Sequence, residues 1–305
     1  MILANNSIFG RRKVYTLKIT FDNISNANAL VGNSSSLSNW NTFFNLPTYG
    51  NPFVKVSVNG NEVSLIGVTG VRIRPNLTND GEFGNPHIIS IIDTGCIISI
   101  GDTAFDSCSS LITIDFPLVK SIYGNAFYYC TSLYSVNLPL VETLGNYSFT
   151  NCSSITKLSL PSLTNIGAYS FFYCTSISTI DVPILTSAGD STFSNCSSLS
   201  SLELPLLTVG SNFLSSCASL TVVSLPVLTT LGSYGLYNCT SLSIINLPSC
   251  INLGGSVLNN NVFTNVIGGT ITLTIPASLM TCNGGSPDSD IQYLQANNTV
   301  TVVTV

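Results

Sequence analysis

The sequence predicts a right-handed solenoid with a parallel β-sheet on one face and turns or short helical pieces on the other. Three observations predict it. Cys108, Cys130, Cys152, Cys174, Cys196, Cys217 and Cys239 follow one another at intervals of 22, 22, 22, 22, 21 and 22 residues. The phrase around them returns too: LYSVNLPLVETLGNYSFTNCSS occupies 133–154 and ITKLSLPSLTNIGAYSFFYCTS occupies 155–176. Finally, 45% of the 305 residues are hydrophobic and only 8% are charged, against about 25% charged in an ordinary domain. Ser, Thr and Asn meet the polar quota, and such short side chains suit turns and stacked strands better than long helices.

Residues 1–95 lack the repeat and read as a β-rich capping or anchoring domain. Val14 to Phe21, Phe53 to Val58 and Glu62 to Ile66 alternate apolar and polar residues, the period of a half-buried strand. Asn59-Gly60-Asn61 between the last two is a hairpin signal. Ser36 to Phe44 reads as a short helix begun by a serine cap. The stretch from Ile89 to Ile100 is expected to merge into the first rung. A solenoid needs such a cover at its open end.

Residues 96–250 are the solenoid. Each unit opens on an apolar pattern of period two, as in Leu133, Val136 and Leu138, or Ile155, Leu158 and Leu160. A proline follows at once (Pro117, Pro139, Pro161, Pro183, Pro205, Pro226, Pro248). Proline removes a ladder donor, so each strand is short, about four or five residues. Further apolar positions (Val141 and Leu144; Leu163 and Ile166), a glycine (Gly145, Gly167, Gly189) and an aromatic three before the cysteine (Phe127, Phe149, Phe171, Phe193) complete the unit. One unit cannot bury its apolar side alone. Stacking sets strand beside strand at about 4.8 Å and buries a continuous interior.

The phrase Cys-Ser/Thr-Ser-Leu-x-x-Ile-x-Leu-Pro, with Gly-x-x-x-Phe-x-x-Cys behind it, resembles the BspA type of leucine-rich repeat, the cysteine-bearing class also met in treponemal surface proteins. The resemblance covers about residues 96–250. It implies a curved leucine-rich-repeat solenoid that binds proteins or surfaces and does no chemistry, in a family whose members are commonly exported adhesins.

Residues 251–305 leave the phrase and read as a C-terminal cap. Gly269 to Pro276 is expected as a strand, Asp290 to Gln295 as a short helix and Thr299 to Val305 as a closing strand. So apolar a terminal strand invites edge pairing. It is expected to pack inside the cap or to pair with another chain.

Charge and composition exclude several classes. Residues 1–95 hold seven of the nine basic residues, and none follows Lys157. A surface without cations cannot neutralise phosphates, which argues against nucleic acid and anionic membranes as partners of the C-terminal half. No run approaches the roughly 18–20 apolar residues of a spanning helix. The first residues do not read as a secretory signal, so synthesis in a cytoplasm without a recognisable signal peptide is expected.

The chemistry-bearing residues point away from catalysis. Seven cysteines in one slot of successive rungs read as a column of buried thiols. No CxxC occurs, and zinc sites need close spacing. Cys96, Cys250 and Cys282 lie outside the column. His87 is the only histidine and has no nucleophile elbow near it. Asp181 and Glu203 hold equivalent slots in adjacent rungs, where side chains come within about 5–6 Å, a separation glycosidase carboxylates also use. No cleft is foreshadowed around them. Asn79 to Glu82 and Asp288 to Asp290 have calcium-loop composition without its ligand count and read as turns. The Asn-x-Ser/Thr triplets, including Asn151, Asn195 and Asn238 with a ladder cysteine at the centre, read as compositional. No catalytic residue, metal or cofactor is therefore expected.

Two faces remain for binding. The outward positions of the strands form a grid: Thr113 and Asp115, Ser135 and Asn137, Lys157 and Ser159, Thr179 and Asp181, Ser201 and Glu203. On the turn side Tyr128, Tyr147, Tyr169, Tyr173 and Tyr237 form a candidate aromatic stripe. The sequence thus reads as a non-catalytic recognition or adhesion protein on a virion (a phage tail, fibre or capsid-decoration component) or extracellular surface. It would bind host-surface protein or glycan, residues 1–95 would engage other virion proteins, and a homo-oligomer fits the same reading. The alternatives are a bacterial cell-surface or secreted adhesin, and a carbohydrate-active enzyme using Asp181 and Glu203.

Overall fold

A computed structural model describes residues 15–21, 53–59, 62–67, 71–73, 88–95, 97–210, 212–254, 262–281 and 288–305. The strands in chain order are β1 (Tyr15–Phe21), β2 (Phe53–Asn59), β3 (Glu62–Gly67), β4 (Val71–Ile73), β5 (Ile88–Asp93) and β6 (Ile97–Ile100). Seven units follow, each with one strand of three residues and one of two. They are β7 (Thr113–Asp115) and β8 (Ser121–Ile122), β9 (Ser135–Asn137) and β10 (Thr143–Leu144), β11 (Lys157–Ser159) and β12 (Asn165–Ile166), β13 (Thr179–Asp181) and β14 (Ser187–Ala188), β15 (Ser201–Glu203) and β16 (Val209–Gly210), β17 (Val222–Ser224) and β18 (Thr230–Leu231), and β19 (Ile244–Asn246) and β20 (Asn252–Leu253). Strand β21 (Thr270–Ile275), a 3₁₀ turn (Ala277–Met280), helix α1 (Ser289–Asn297) and β22 (Thr299–Thr304) end the chain.

The strands stack in two columns where the repeat phrase announces one, parallel through the solenoid and antiparallel among β1, β2, β3 and β5. The longer strands make the first, running β2-β3-β1-β5-β7-β9, then β11-β13, then β15-β17-β19-β21-β22. β4 and β6 and then the two-residue strands make the second, from β4 to β16, with β18-β20 beyond. The apolar positions Leu144 and Ile166, distinguishable in the sequence only as a third hydrophobic slot, belong to this second column and are buried. Each main strand is three residues long, shorter than expected, because proline cuts it at one end and a turn at the other.

Structure is continuous across the expected domain limits. β5 pairs with antiparallel β1 on one side and parallel β7 on the other, so the stretch from Ile89 to Ile100 does enter the first coil. β21 continues the parallel register of β19, with Ile245 opposite Leu273. Asn59 and Glu62 close the antiparallel β2–β3 pair on either side of the hairpin signal. The helix expected over Ser36 to Phe44, the segment Asn79 to Glu82, and His87, Cys96 and Cys282 lie outside the described residues.

One core runs the length of the solenoid, and three ladders hold it. Phe105, Phe127, Phe149, Phe171 and Phe193 are fully buried and stack at successive centroid distances of 5.2, 5.0, 5.4 and 5.7 Å; such ring pairs contribute about 0.5–1.5 kcal/mol each beyond their buried area. Beside them Cys130, Cys152, Cys174, Cys196 and Cys217 each donate S–H to the carbonyl of Phe105, Phe127, Phe149, Phe171 and Phe193, at 3.1–3.3 Å. Each phenylalanine carbonyl also accepts the N–H of its own rung's cysteine, as Phe149 O does from Cys152 N at 3.1 Å. The thiol therefore fills a second lone pair that no other group reaches. On the surface, Thr164, Thr186 and Thr208 donate Oγ1–H to the carbonyl one rung back at 3.0–3.1 Å. Short hydroxyls that reach the previous rung explain why this chain is rich in Ser and Thr.

Glycine is required where rungs touch. A Cβ on Gly189 would lie 2.4 Å from Ala168 N, and one on Gly167 2.6 Å from Asn146 N. The turns also use two residues per rung with positive φ: the residue two before the phenylalanine slot, and the residue before the cysteine. Asn151, Asn195 and Asn238 hold the second slot at φ of 59°, 63° and 58°. Asparagine tolerates that left-handed conformation better than most residues. The Asn-Cys-Ser/Thr triplets thus have a backbone cause beyond composition.

Candidate binding faces

The first column turns its alternate residues outward, because side chains on a strand point to opposite faces. Ser135, Asn137, Lys157, Ser159, Thr179, Asp181, Ser201 and Glu203 are exposed, and Thr113 and Asp115 are half-buried. These residues of the expected grid thus lie on the outward side of their strands. Its members bond along the column: Asn137 Nδ2 donates to Asp115 Oδ1 at 2.7 Å, and Ser159 Oγ donates to Asp181 Oδ2 at 2.9 Å.

Asp181 and Glu203 hold equivalent outward slots on the neighbouring strands β13 and β15. Asp181 is engaged with Ser159. Its strand β13 and the strand of Glu203, β15, belong to separate sheets. Equivalent slots in sequence do not guarantee paired strands, and the ladder is broken at this step.

A second break falls between β9 and β11. Here Val136 is only half-buried where its counterparts Ile114 and Leu158 are buried. A shallow depression of about 520 Å³ lies over this break, lined by Val136, Asn137, Pro139, Lys157, Leu158, Ser159, Pro161, Thr179 and Asp181. Two prolines and the aliphatic Val136 and Leu158 are among its lining residues, together with Lys157, the last basic residue of the chain. The other solenoid cation, Lys120, is tied to Glu142 at 2.7 Å.

The turn side holds the tyrosines in three sets of ring contacts. Tyr147 and Tyr169 stack in parallel, 4.9 Å apart with 2° between planes. Tyr169 meets Phe172 edge-on at 5.4 Å, Phe172 meets Tyr173 at 4.6 Å, and Tyr128 meets Tyr129 at 4.6 Å. Tyr237 stands apart with Tyr234, 5.5 Å away; Ser191 and Asn212 occupy the intervening slots. Burial and the neighbouring Tyr129 push the Tyr128 hydroxyl above its ordinary pKa. Tyr147, Tyr169 and Tyr234 also take positive φ, at 58°, 58° and 61°. Tyr129, Tyr147, Tyr173 and Tyr234 remain exposed.

One surface row escaped the sequence reading. The residue after each repeat proline is frequently aliphatic and exposed: Leu140, Ile184, Leu206 and Val227. The period-22 spacing was its only signal, and the position reads as an ordinary turn.

The described thiols are shielded from reaction. Every described cysteine is free and buried. Burial pushes the Cys174 and Cys239 thiols up to about 12, far from the thiolate that reactivity requires. Cys250, outside the regular column, is likewise buried and donates to Asn252 O at 3.2 Å. Asp288 caps α1 by accepting from Asp290 N at 2.9 Å, so the acidic segment is a turn into a helix. Among the described residues no three His, Cys, Asp or Glu side chains gather to hold a metal.

The sequence profile of the BspA-type leucine-rich-repeat region matches residues 78–200 and 164–284, in six copies. The chain belongs to the BspA-type leucine-rich-repeat family. No curated protein matches it. Among solved structures, the leucine-rich-repeat protein of T. pallidum is 22% identical, with 82% of this chain and 97% of that one covered and a TM-score of 0.38. The pneumococcal vaccine antigen PcpA is 15% identical, with 69% and 66% covered and a TM-score of 0.41. A leucine-rich-repeat protein of Bacteroides ovatus is 18% identical, with 83% and 90% covered and a TM-score of 0.27. Membership in the BspA-type family rests on the repeat profile. It indicates a binding role, and no enzymatic family is indicated.

Proposed function

We propose that this BspA-type protein is a non-catalytic recognition protein that engages a protein or glycan on another surface through its parallel-sheet face, at the depression around Lys157. The observation that carries the reading is the setting of that lysine. It is exposed in a depression that Val136, Leu158, Pro139 and Pro161 also line, with Ser159 and Thr179 among its polar members. A carboxylate next to an apolar group complements this combination, and partial desolvation strengthens the charge-assisted bond.

Arrays of host-surface proteins and glycans test the proposal. Lys157→Glu is expected to weaken capture at least tenfold, and the wild-type signal is expected to fall with salt. Tyr147→Ser with Tyr173→Ser is expected to leave capture intact. The opposite pattern would move the site to the turn side. Glycan cleavage that stops in the Asp181→Ala, Glu203→Ala double variant would overturn the non-catalytic reading.

Within that class we take the protein to be displayed on a virion, with residues 1–95 as its anchor. The repeat architecture and the scarcity of charge support a surface-display role. Mass spectrometry of purified particles tests it. Recovery in the cell envelope instead would favour an exported adhesin.

A further inference from the structure

We infer that the outer edge of β22 is a self-association surface, at which two copies of this chain pair edge to edge in antiparallel orientation. β22 ends its five-stranded sheet and pairs with β21 over all six of its residues. Thr299 N and Val305 N donate inward, to Gly269 O and Ile275 O. Alternation along the strand then turns the N–H groups of Val300, Val302 and Thr304 to the outer edge. Among the described residues no strand lies beyond it.

Proteins protect such edges with lysine, proline, a bulge or a very short strand. β22 reads TVTVVT, has none of these devices, and no charged residue occurs after Asp290. β2, at the opposite end of the first column, carries Lys55.

A second copy fits it best. Two β22 edges meet without like charges, and both are wholly β-branched, which suits cross-strand packing. Antiparallel pairing about a two-fold axis places even-numbered residues opposite even-numbered ones. Val300 and Val302 of both copies then fall on the same face, where each is already half-buried against its own core. The operation closes at two copies, whereas pairing of β22 with β2 of the next molecule would run on as a filament.

Sedimentation equilibrium of the full chain, from 1 to 100 µM, tests the inference. The expected mass at the upper concentrations is twice 32.3 kDa. Thr301→Lys with Val303→Lys sets like charges opposite one another in either even register, at two exposed positions. It is expected to return the mass to that of one chain with unchanged circular dichroism. Thr301→Lys alone serves if the double variant loses its fold. A wild-type mass of one chain at 100 µM overturns the inference. So does a dimer that survives the substitution, which uses another surface, or a mass that grows past two chains, which marks head-to-tail pairing.

Discussion

Replacing Cys174 by alanine isolates what the thiol column contributes. The side chain is fully buried, and its S–H reaches Phe149 O at 3.1 Å across the rung interface. Alanine removes one sulfur-sized group from the core. Transfer and cavity terms for a group that size come to about 1 kcal/mol. Phe149 O loses one of its two donors but keeps Cys152 N, so the hydrogen-bond loss is about 0.5–1 kcal/mol and not the full cost of an orphaned carbonyl. The expected destabilisation is about 1.5–2 kcal/mol. Serine at the same place restores a donor and is expected to recover part of that loss. The assay is urea unfolding followed by circular dichroism, with wild type, Cys174→Ala and Cys174→Ser compared through midpoint and slope. The slope matters because stacked repeats can unfold in parts. An alanine variant within about 0.3 kcal/mol of wild type would refute the reasoning. A serine variant below alanine would refute the bond's share of it and leave apolar packing as the sole role.

Two further expectations use the same unfolding assay. Gly189→Ala sets a methyl 2.4 Å from Ala168 N; because the obstacle is backbone, the rungs must separate, at a cost of about 1–3 kcal/mol, and an unchanged midpoint would contradict the close approach. Asp290 is buried, with Oδ1 accepting from Val262 N at 3.1 Å and Oδ2 without a partner, and burial together with Asp288 raises its pKa from 3.8 to about 6. A raised carboxyl pKa means the folded state binds the extra proton between those values, so the Asp290 contribution to stability falls as pH rises from about 4 to 6 and is level above. Asp290→Asn removes that slope, and its stability relative to wild type is expected to improve by order 1 kcal/mol between pH 4 and 7; a difference independent of pH would count against it.

Much of the fold is legible from periodicity alone. Cysteine, proline, glycine and phenylalanine recur because each meets a constraint that repeats with every rung. The thiol completes a carbonyl, proline ends a strand, glycine permits contact at Gly167 and Gly189, and phenylalanine continues a stack. Those constraints are local or one rung away, so a single phrase records them. The second column of strands is harder to read, because two-residue elements such as Thr143–Leu144 leave too short a pattern to show a period of two. The binding faces are legible only in part. Alternation marks Lys157 and Asp181 as outward, and the aromatic positions mark the turn side.

By itself the sequence determined that this chain stacks into a BspA-type solenoid, because burying an apolar stripe that returns every 22 residues admits one general solution. Only the tertiary structure decided where the main sheet interrupts itself to form the depression at Val136 and Lys157. It alone decided that Tyr147 stacks on Tyr169 and that β22 is the last strand of its sheet among the described residues. Each of these depends on how a rung sits against its neighbour, and equivalent slots in a repeat are chemically alike whether or not the strands that carry them remain paired.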